Sequence, residues 1–154
     1  MPQRVAAYLS SGSEPGTLQL VAWLAARDVR VLLPVLTDGG RERLPEPAWG
    51  VYTGPDALQV GLADIVQPTG PAFGNEVLNG AQLIICPGMA ANVRGQRLGR
   101  GGGWYDRSLQ QKTKATPVWV LLNEDEVFEA IPTDHWDLGV DAIVTPTRYI
   151  RCQP

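Results

Sequence analysis

The run Gly99-Arg100-Gly101-Gly102-Gly103, set between an apolar stretch and a short helical pattern, constrains this chain more than any other feature. Leu83-Ile84-Ile85-Cys86 reads as a buried strand, Pro87 to Gly103 as a loop, and Trp104 to Gln111 as a helix. Strand, glycine loop and helix start together suit an anion site. Glycine lets backbone N–H groups approach a ligand closely, and the first helical turn leaves its N–H groups unpaired at the positive end of the dipole. Arg94, Arg97, Arg100 and Arg107 add charge that forks onto phosphate or carboxylate. Asp106 would repel a bound phosphate unless a cation bridged the two, which points to Mg2+. The plainer alternative is a structural loop with a solvated arginine face, and the residues by themselves leave both open. No Gly-Lys-Ser/Thr closes a Walker P-loop here, and the glycines do not fit the dinucleotide spacing.

The charge around this loop is local. From Arg94 to Lys114 six basic residues stand against one acidic, a net +5, which leaves −8 for the rest of a chain whose total is −3. That distribution suits a small anionic ligand better than a nucleic-acid duplex, which asks for a longer basic stripe. The 154 residues suit one domain spanning 1–154. Cys86 and Cys152 lack metal-ligand spacing, so a disulfide framework and a zinc site are not expected, and a reducing cytoplasm is the natural setting. No run is long enough to cross a bilayer and no leader precedes Arg4, so neither a membrane nor export is expected. A monomer or weak homodimer is the expected state.

Taken in order, Arg4 to Leu9 reads as a first strand and Ser10 to Gly16 as a loop. Thr17 is placed to cap a helix from Leu18 to Arg27, with Leu18, Val21, Leu24 and Ala25 on one face. Val29 to Val35 is continuously apolar, as in a parallel strand covered on both sides. Thr37 to Pro47 reads as an exposed excursion, Trp49 to Thr53 as a short strand, and Gly61 to Gly74 mainly as a crossing loop. Pro117 to Leu122 and Ala142 to Val144 are further strands. The repeated order of strand, loop and helix predicts an α/β fold: a three-layer open sheet, mostly parallel, with helices on both faces. Ligands in such sheets bind beyond the carboxyl ends of the strands. Three loops should meet there: Ser10 to Gly16, Pro87 to Gly103, and Thr133 to Asp137.

Pro87-Gly88-Met89-Ala90 followed by Gly95-Gln96-Arg97-Leu98-Gly99-Arg100-Gly101-Gly102-Gly103-Trp104-Tyr105-Asp106-Arg107 resembles the signature of the 5-formyltetrahydrofolate cyclo-ligase family, also called methenyltetrahydrofolate synthetase. In weaker form the likeness runs from Arg4 to about Thr145. It implies ATP-dependent cyclisation of 5-formyltetrahydrofolate, possible in its polyglutamylated form too, to 5,10-methenyltetrahydrofolate with release of ADP and phosphate, Mg2+ assisting. A catalytically impaired relative that binds folate or nucleotide without efficient turnover is the alternative, and another small-molecule enzyme on this scaffold a remoter one.

The resemblance also implies roles. Arg97 and Arg100 would be catalytic; with Leu98, Gly99, Gly101, Gly102, Gly103, Trp104 and Tyr105 they would bind ATP. Leu9, Glu14, Gly101, Gly102, Gly103 and Trp104 would bind the folate, and Asp106 with Asp137 the metal. From the residues alone Glu14 could equally pair with the dipole of the following helix, and the resemblance decides for ligand contact. Asp137 alone could be a turn residue, and Asp134 or Asp141 could take its role. Trp104 is expected to face the ligand and Tyr105 to pack inward, while His135 is expected on a surface loop. Three departures stand out. The family's basic helix before the first strand has only Pro2-Gln3-Arg4 in its place, so part of the ATP site is expected to be absent, supplied by another chain, or lost to a misplaced start. Ala91-Asn92 replaces the common Phe-Asp, and Asp64 stands near the Gln67-Pro68 element where glycine is frequent.

Overall fold

The computed structural model describes residues 1–39, 42–110, 112–132 and 139–153. Its frame is an eight-stranded sheet. The parallel members are β1 (Arg4–Ala6), β2 (Arg30–Thr37), β7 (Leu83–Pro87), β10 (Val118–Leu121) and β11 (Ala142–Val144). Antiparallel strands β3 (Arg43–Val51) and β6 (Ala72–Gly74) extend one side, and β12 (Tyr149–Arg151) the other. Across the sheet the order is β12-β11-β10-β7-β1-β2-β3-β6. From β1 the chain goes first to β2 on one side and later to β7 on the other, so the direction of winding reverses between β1 and β7. At such a point the loops leaving two adjacent strands diverge and open a crevice.

Alternate side chains build two cores, one on each face. Val5, Val31, Leu33 and Ile85 pack beneath α1 (Leu18–Ala25), whose Val21 and Leu24 are buried. Ala6, Leu32, Ile84, Val118, Val120 and Ile143 face the opposite way, toward Leu109 of α2 (Trp104–Leu109) and toward Leu78 in the 3-10 turns of Asn75–Gly80. The expected open, mostly parallel sheet with helices on both faces is the architecture found. Few helices cover it, and none among the described residues is long and apolar enough to cross a membrane.

Several local expectations are corrected. Leu18 is 55% exposed, and the buried stripe of α1 begins at Val21. Thr17 makes no side-chain cap. Its hydroxyl donates to the Tyr8 carbonyl at 2.6 Å and accepts from the Ser10 N–H at 2.9 Å, tying the loop after β1 to the helix start. The exposed excursion at 37–47 is in fact the start of a hairpin, with β3 pairing back on β2 from Arg43. Pro45 and Pro47 suggested a loop because they cannot donate to a ladder. They fall where the register slips, between the pairs Thr37↔Arg43 and Val35↔Ala48, so no ladder bond is asked of them.

The stretch from Gly61 to Gly74 carries β6 and also β5 (Val66–Pro68), which pairs with β4 (Leu58–Val60). Gln67 explains its placement. Fully buried, it accepts the N–H groups of Leu36 and Thr37 at 3.1 and 3.2 Å and donates to the Thr37 carbonyl at 3.2 Å. An amide side chain thus satisfies the backbone that the bulge leaves unpaired.

Within the loop from Gly88 to Gly103 lies a further small hairpin, β8 (Ala90–Ala91) with β9 (Arg97–Leu98). Its turn is held by Asn92, whose Oδ1 accepts the N–H groups of Arg94 at 3.1 Å and Gln96 at 3.2 Å. A neutral amide suffices for this work. The helix expected to reach Gln111 ends at Leu109, and Gln111 lies outside the described residues. Gly103 precedes it at φ 69°, a left-handed conformation costly for any residue with a Cβ.

Candidate active site

A cleft of about 840 Å³ opens beyond the carboxyl ends of β1, β2 and β7, over the reversal between β1 and β7. The loop after β1 supplies Tyr8, Leu9, Ser11 and Glu14. The end of β7 supplies Pro87, and the chain after it Gly88 and the unbroken run Arg97 to Arg107. Pro34 and Leu36 of β2, with Ile65 and Val66, form an apolar wall. Every site residue that the resemblance implied except Asp137 therefore lines one cavity, whereas Arg94, expected to add charge there, sits instead in the turn held by Asn92. Asp137 lies outside the described residues, as do Asp134 and His135; Pro132, just before that stretch, reaches the cleft. Asp141 does not take Asp137's place: its Oδ2 accepts the Val118 N–H at 2.7 Å, which pins the start of β10.

Arg97 is the most tightly held cation of the site. It is only 6% exposed. Its Nε donates to the Pro87 carbonyl at 2.7 Å, its Nη1 lies 3.7 Å from the Asp106 carboxylate, and its guanidinium stands 5.4 Å from the centre of the Tyr105 ring. Gly88 leaves room for this arrangement, since a Cβ there would lie 2.9 Å from Val120 and 3.5 Å from the Arg97 side chain. Arg100 is largely exposed and reaches across the cleft to Glu14 at 3.5 Å. Glu14 lies outside the first turn of α1. Its other oxygen accepts the Ser11 N–H at 2.7 Å, which turns the carboxylate toward the cleft.

Trp104 and Tyr105 both border the cavity and both pack on Trp49, their ring centres 5.1 and 6.4 Å from its indole. Tyr105 thus goes inward only in part. The phenolic oxygens of Tyr8 and Tyr105 are buried with no hydrogen-bond partner among the described residues. Burial pushes both phenols up from their usual range, and the Glu14 carboxylate adds to the shift at Tyr8. They are neutral hydroxyls at the cleft floor. Burial likewise raises the Cys86 thiol beside them.

No group of three or more His, Cys, Asp or Glu that could hold a metal occurs among the described residues. Asp106 on the cleft wall nonetheless suits Mg2+, which commonly takes one or two carboxylates and completes its octahedron with water and substrate phosphates. Arg43, Tyr8, and the wall of Pro34, Leu36, Ile65 and Val66 carry no local signal in the sequence; the pairing of β2 with β3 and of β4 with β5, and the loop after β1, bring them here.

Fold and cleft define an open-sheet α/β protein with a glycine- and arginine-lined cleft at its switch point. The chain belongs to the 5-formyltetrahydrofolate cyclo-ligase family, whose model matches residues 1–146. It is 35% identical over 147 residues to the 5-formyltetrahydrofolate cyclo-ligase of Mycolicibacterium smegmatis, covering 95% of this chain and 75% of that protein. To the Escherichia coli K12 enzyme of the same name it is 33% identical over 150 residues, covering 96% and 80%. The NMR structure of Aquifex aeolicus 5,10-methenyltetrahydrofolate synthetase superimposes with a TM-score of 0.79 at 27% identity, over 99% of this chain and 73% of that one.

Proposed function

We propose that this chain catalyses the ATP-dependent cyclisation of 5-formyltetrahydrofolate to 5,10-methenyltetrahydrofolate, releasing ADP and phosphate. The observation that carries the reading is convergence: Glu14, Trp104, Arg97, Arg100 and the loop Gly99 to Gly103 line one cleft. The chemical difficulty is the formyl oxygen, a poor leaving group. Its attack on the γ-phosphorus expels ADP and makes an imidate phosphate. The N10 nitrogen then closes on the formyl carbon, phosphate departs with that oxygen, and the N10 proton is lost.

The chain has to position and neutralise rather than supply a nucleophile. Arg97, immobilised by Pro87 and Asp106, needs no reorganisation as charge develops on the phosphoryl oxygens. Arg100 lies over the mouth, and Leu98 to Gly103 form the ATP side of the cleft. Glu14 accepts from the pterin amino and ring N–H groups, while Leu9, Gly101 to Gly103 and the face of Trp104 flank the ring. Asp106, with Asp137 as a second carboxylate, would hold Mg2+, and the ion would neutralise phosphate charge. A polyglutamate tail would meet Arg43 at the outer wall. The chain is read as a cytoplasmic monomer or weak homodimer, with Cys86 and Cys152 as free thiols.

The test is the near-ultraviolet absorbance rise of the methenyl product from 5-formyltetrahydrofolate, ATP and Mg2+. Product formation with one ADP released per turnover is the expected result. Tight folate binding without product would replace this reading with that of a binding protein.

A further inference from the structure

Trp104 is the aromatic face of the cleft, yet the helix that carries it is weak by itself. α2 has six residues and no side-chain cap at Gly103, and a helix so short is unstable without tertiary support. The support comes from beneath. Trp49, fully buried on β3, packs on Trp104 with ring centres 5.1 Å apart and planes at 57°, and Trp104 in turn meets Tyr105 edge to face at 4.8 Å.

The indole of Trp49 is itself fixed. Its Nε1–H lies 3.1 Å from the Ser108 hydroxyl on α2 and 3.3 Å from Asn75 Oδ1, and the Ser108 hydroxyl donates to the same Oδ1 at 2.9 Å. Two donors converge on that atom, so the Asn75 amide has one permitted orientation. Asn75 begins the turns that follow β6. The triangle of Trp49, Asn75 and Ser108 therefore joins the sheet, the turns and α2 at a point directly under the cleft.

We infer that Trp49 is a positioning residue for the folate side of the site, acting through Trp104 and locked by Asn75 and Ser108. The inference rests on the proposed function, in which Trp104 touches the pterin. It predicts that loosening the triangle weakens substrate binding without removing any group that touches substrate.

Ser108→Ala and Asn75→Leu keep all three aromatic rings and remove the lock. Both should weaken 5-formyltetrahydrofolate binding roughly threefold to tenfold by calorimetry, the scale of coupling between residues in contact. kcat should stay within about twofold, because the loss falls on uniform binding. Asn75→Asp keeps an acceptor for both donors and should bind as the parent does. The far-ultraviolet exciton couplet of the Trp49–Trp104 pair should shrink in Asn75→Leu and persist in Asn75→Asp.

The decisive arm is Asn75→Leu placed in Trp104→Ala. With Trp104 gone, the second substitution should cost binding nothing further. An equal additional loss in that background would mark the triangle as merely structural and overturn the inference. So would unchanged affinity in both single variants. If Trp104→Ala itself leaves affinity unchanged, the proposed ligand contact fails and the inference falls with it. If Trp104→Ala weakens binding while Asn75→Leu does not, the inference alone fails.

Discussion

At the scale of single residues, the site is organised by one buried cation. Arg97 serves the Pro87 carbonyl, the Asp106 carboxylate and the Tyr105 face at once, which a planar fork can do and an ammonium cannot. Arg97→Lys should therefore leave 5-formyltetrahydrofolate binding nearly intact while kcat falls roughly a hundredfold to a thousandfold, read in single-turnover absorbance with ATP saturating. Loss of folate affinity with kcat unchanged would move Arg97 to the folate subsite. Glu124 is a structural counterpart far along the chain. Its carboxylate accepts from the hydroxyls of Thr145 and Thr147, from the Thr147 N–H at 3.2 Å and from Arg148 Nε at 2.9 Å, clipping the turn between β11 and β12. Those bonds, the Thr145 hydroxyl first, pull its carboxyl from 4.5 down to about 2. A carboxyl lowered on folding stabilises the fold fully above its unfolded value and ceases to do so as it protonates. The difference in thermal midpoint between the parent and Glu124→Gln should be steady above about pH 5 and vanish toward pH 2. A difference that persists to pH 2 would assign the effect to shape rather than charge.

At the scale of elements, the informative piece is the hairpin of β2 and β3 with its plug. Gln67 stands where the sequence suggested a crossing loop, and its side chain supplies the backbone partners that the bulge at Leu36 and Thr37 lacks. Gln67→Leu keeps the bulk but leaves two donors and an acceptor buried and unpaired. It should cost about 2 to 3 kcal/mol, a fall in melting temperature on the order of 5 to 10 °C in calorimetry. Because Leu36, Ile65 and Val66 form the apolar wall, folate affinity should fall as well. A variant that melts as the parent does would show that water replaces the plug. The smaller hairpin of β8 and β9 works on the same principle, with buried Asn92 completing a turn and placing Arg97 on the strand that faces Gly88.

At the scale of the whole molecule, substrates and fold share one free energy. Ligands that bind only the native chain raise its melting temperature, by roughly 5 to 10 °C at a hundredfold excess over Kd for a chain of this size. 5-Formyltetrahydrofolate should produce that shift in the parent and lose most of it in Glu14→Gln. A full shift in that variant would remove Glu14 from the folate site. Strand identity in the parallel core, the α/β class, and the gathering of Gly99 to Asp106 into one loop and helix start were legible in the sequence, because apolar continuity and glycine spacing are local properties. Whether Thr37 to Pro47 forms a strand was not, since its ladder depends on β2 being alongside and its prolines are harmless only at a bulge. Nor could spacing reveal that Arg97 is paired with Asp106, that Glu14 meets Arg100 across the cleft, or that Trp49 lies under Trp104. Those contacts join separate elements: the winding reversal between β1 and β7 sets the Glu14 loop opposite the Arg100 loop, the fold of the β7-to-β10 connection brings Asp106 to Arg97, and β3 carries Trp49 under α2.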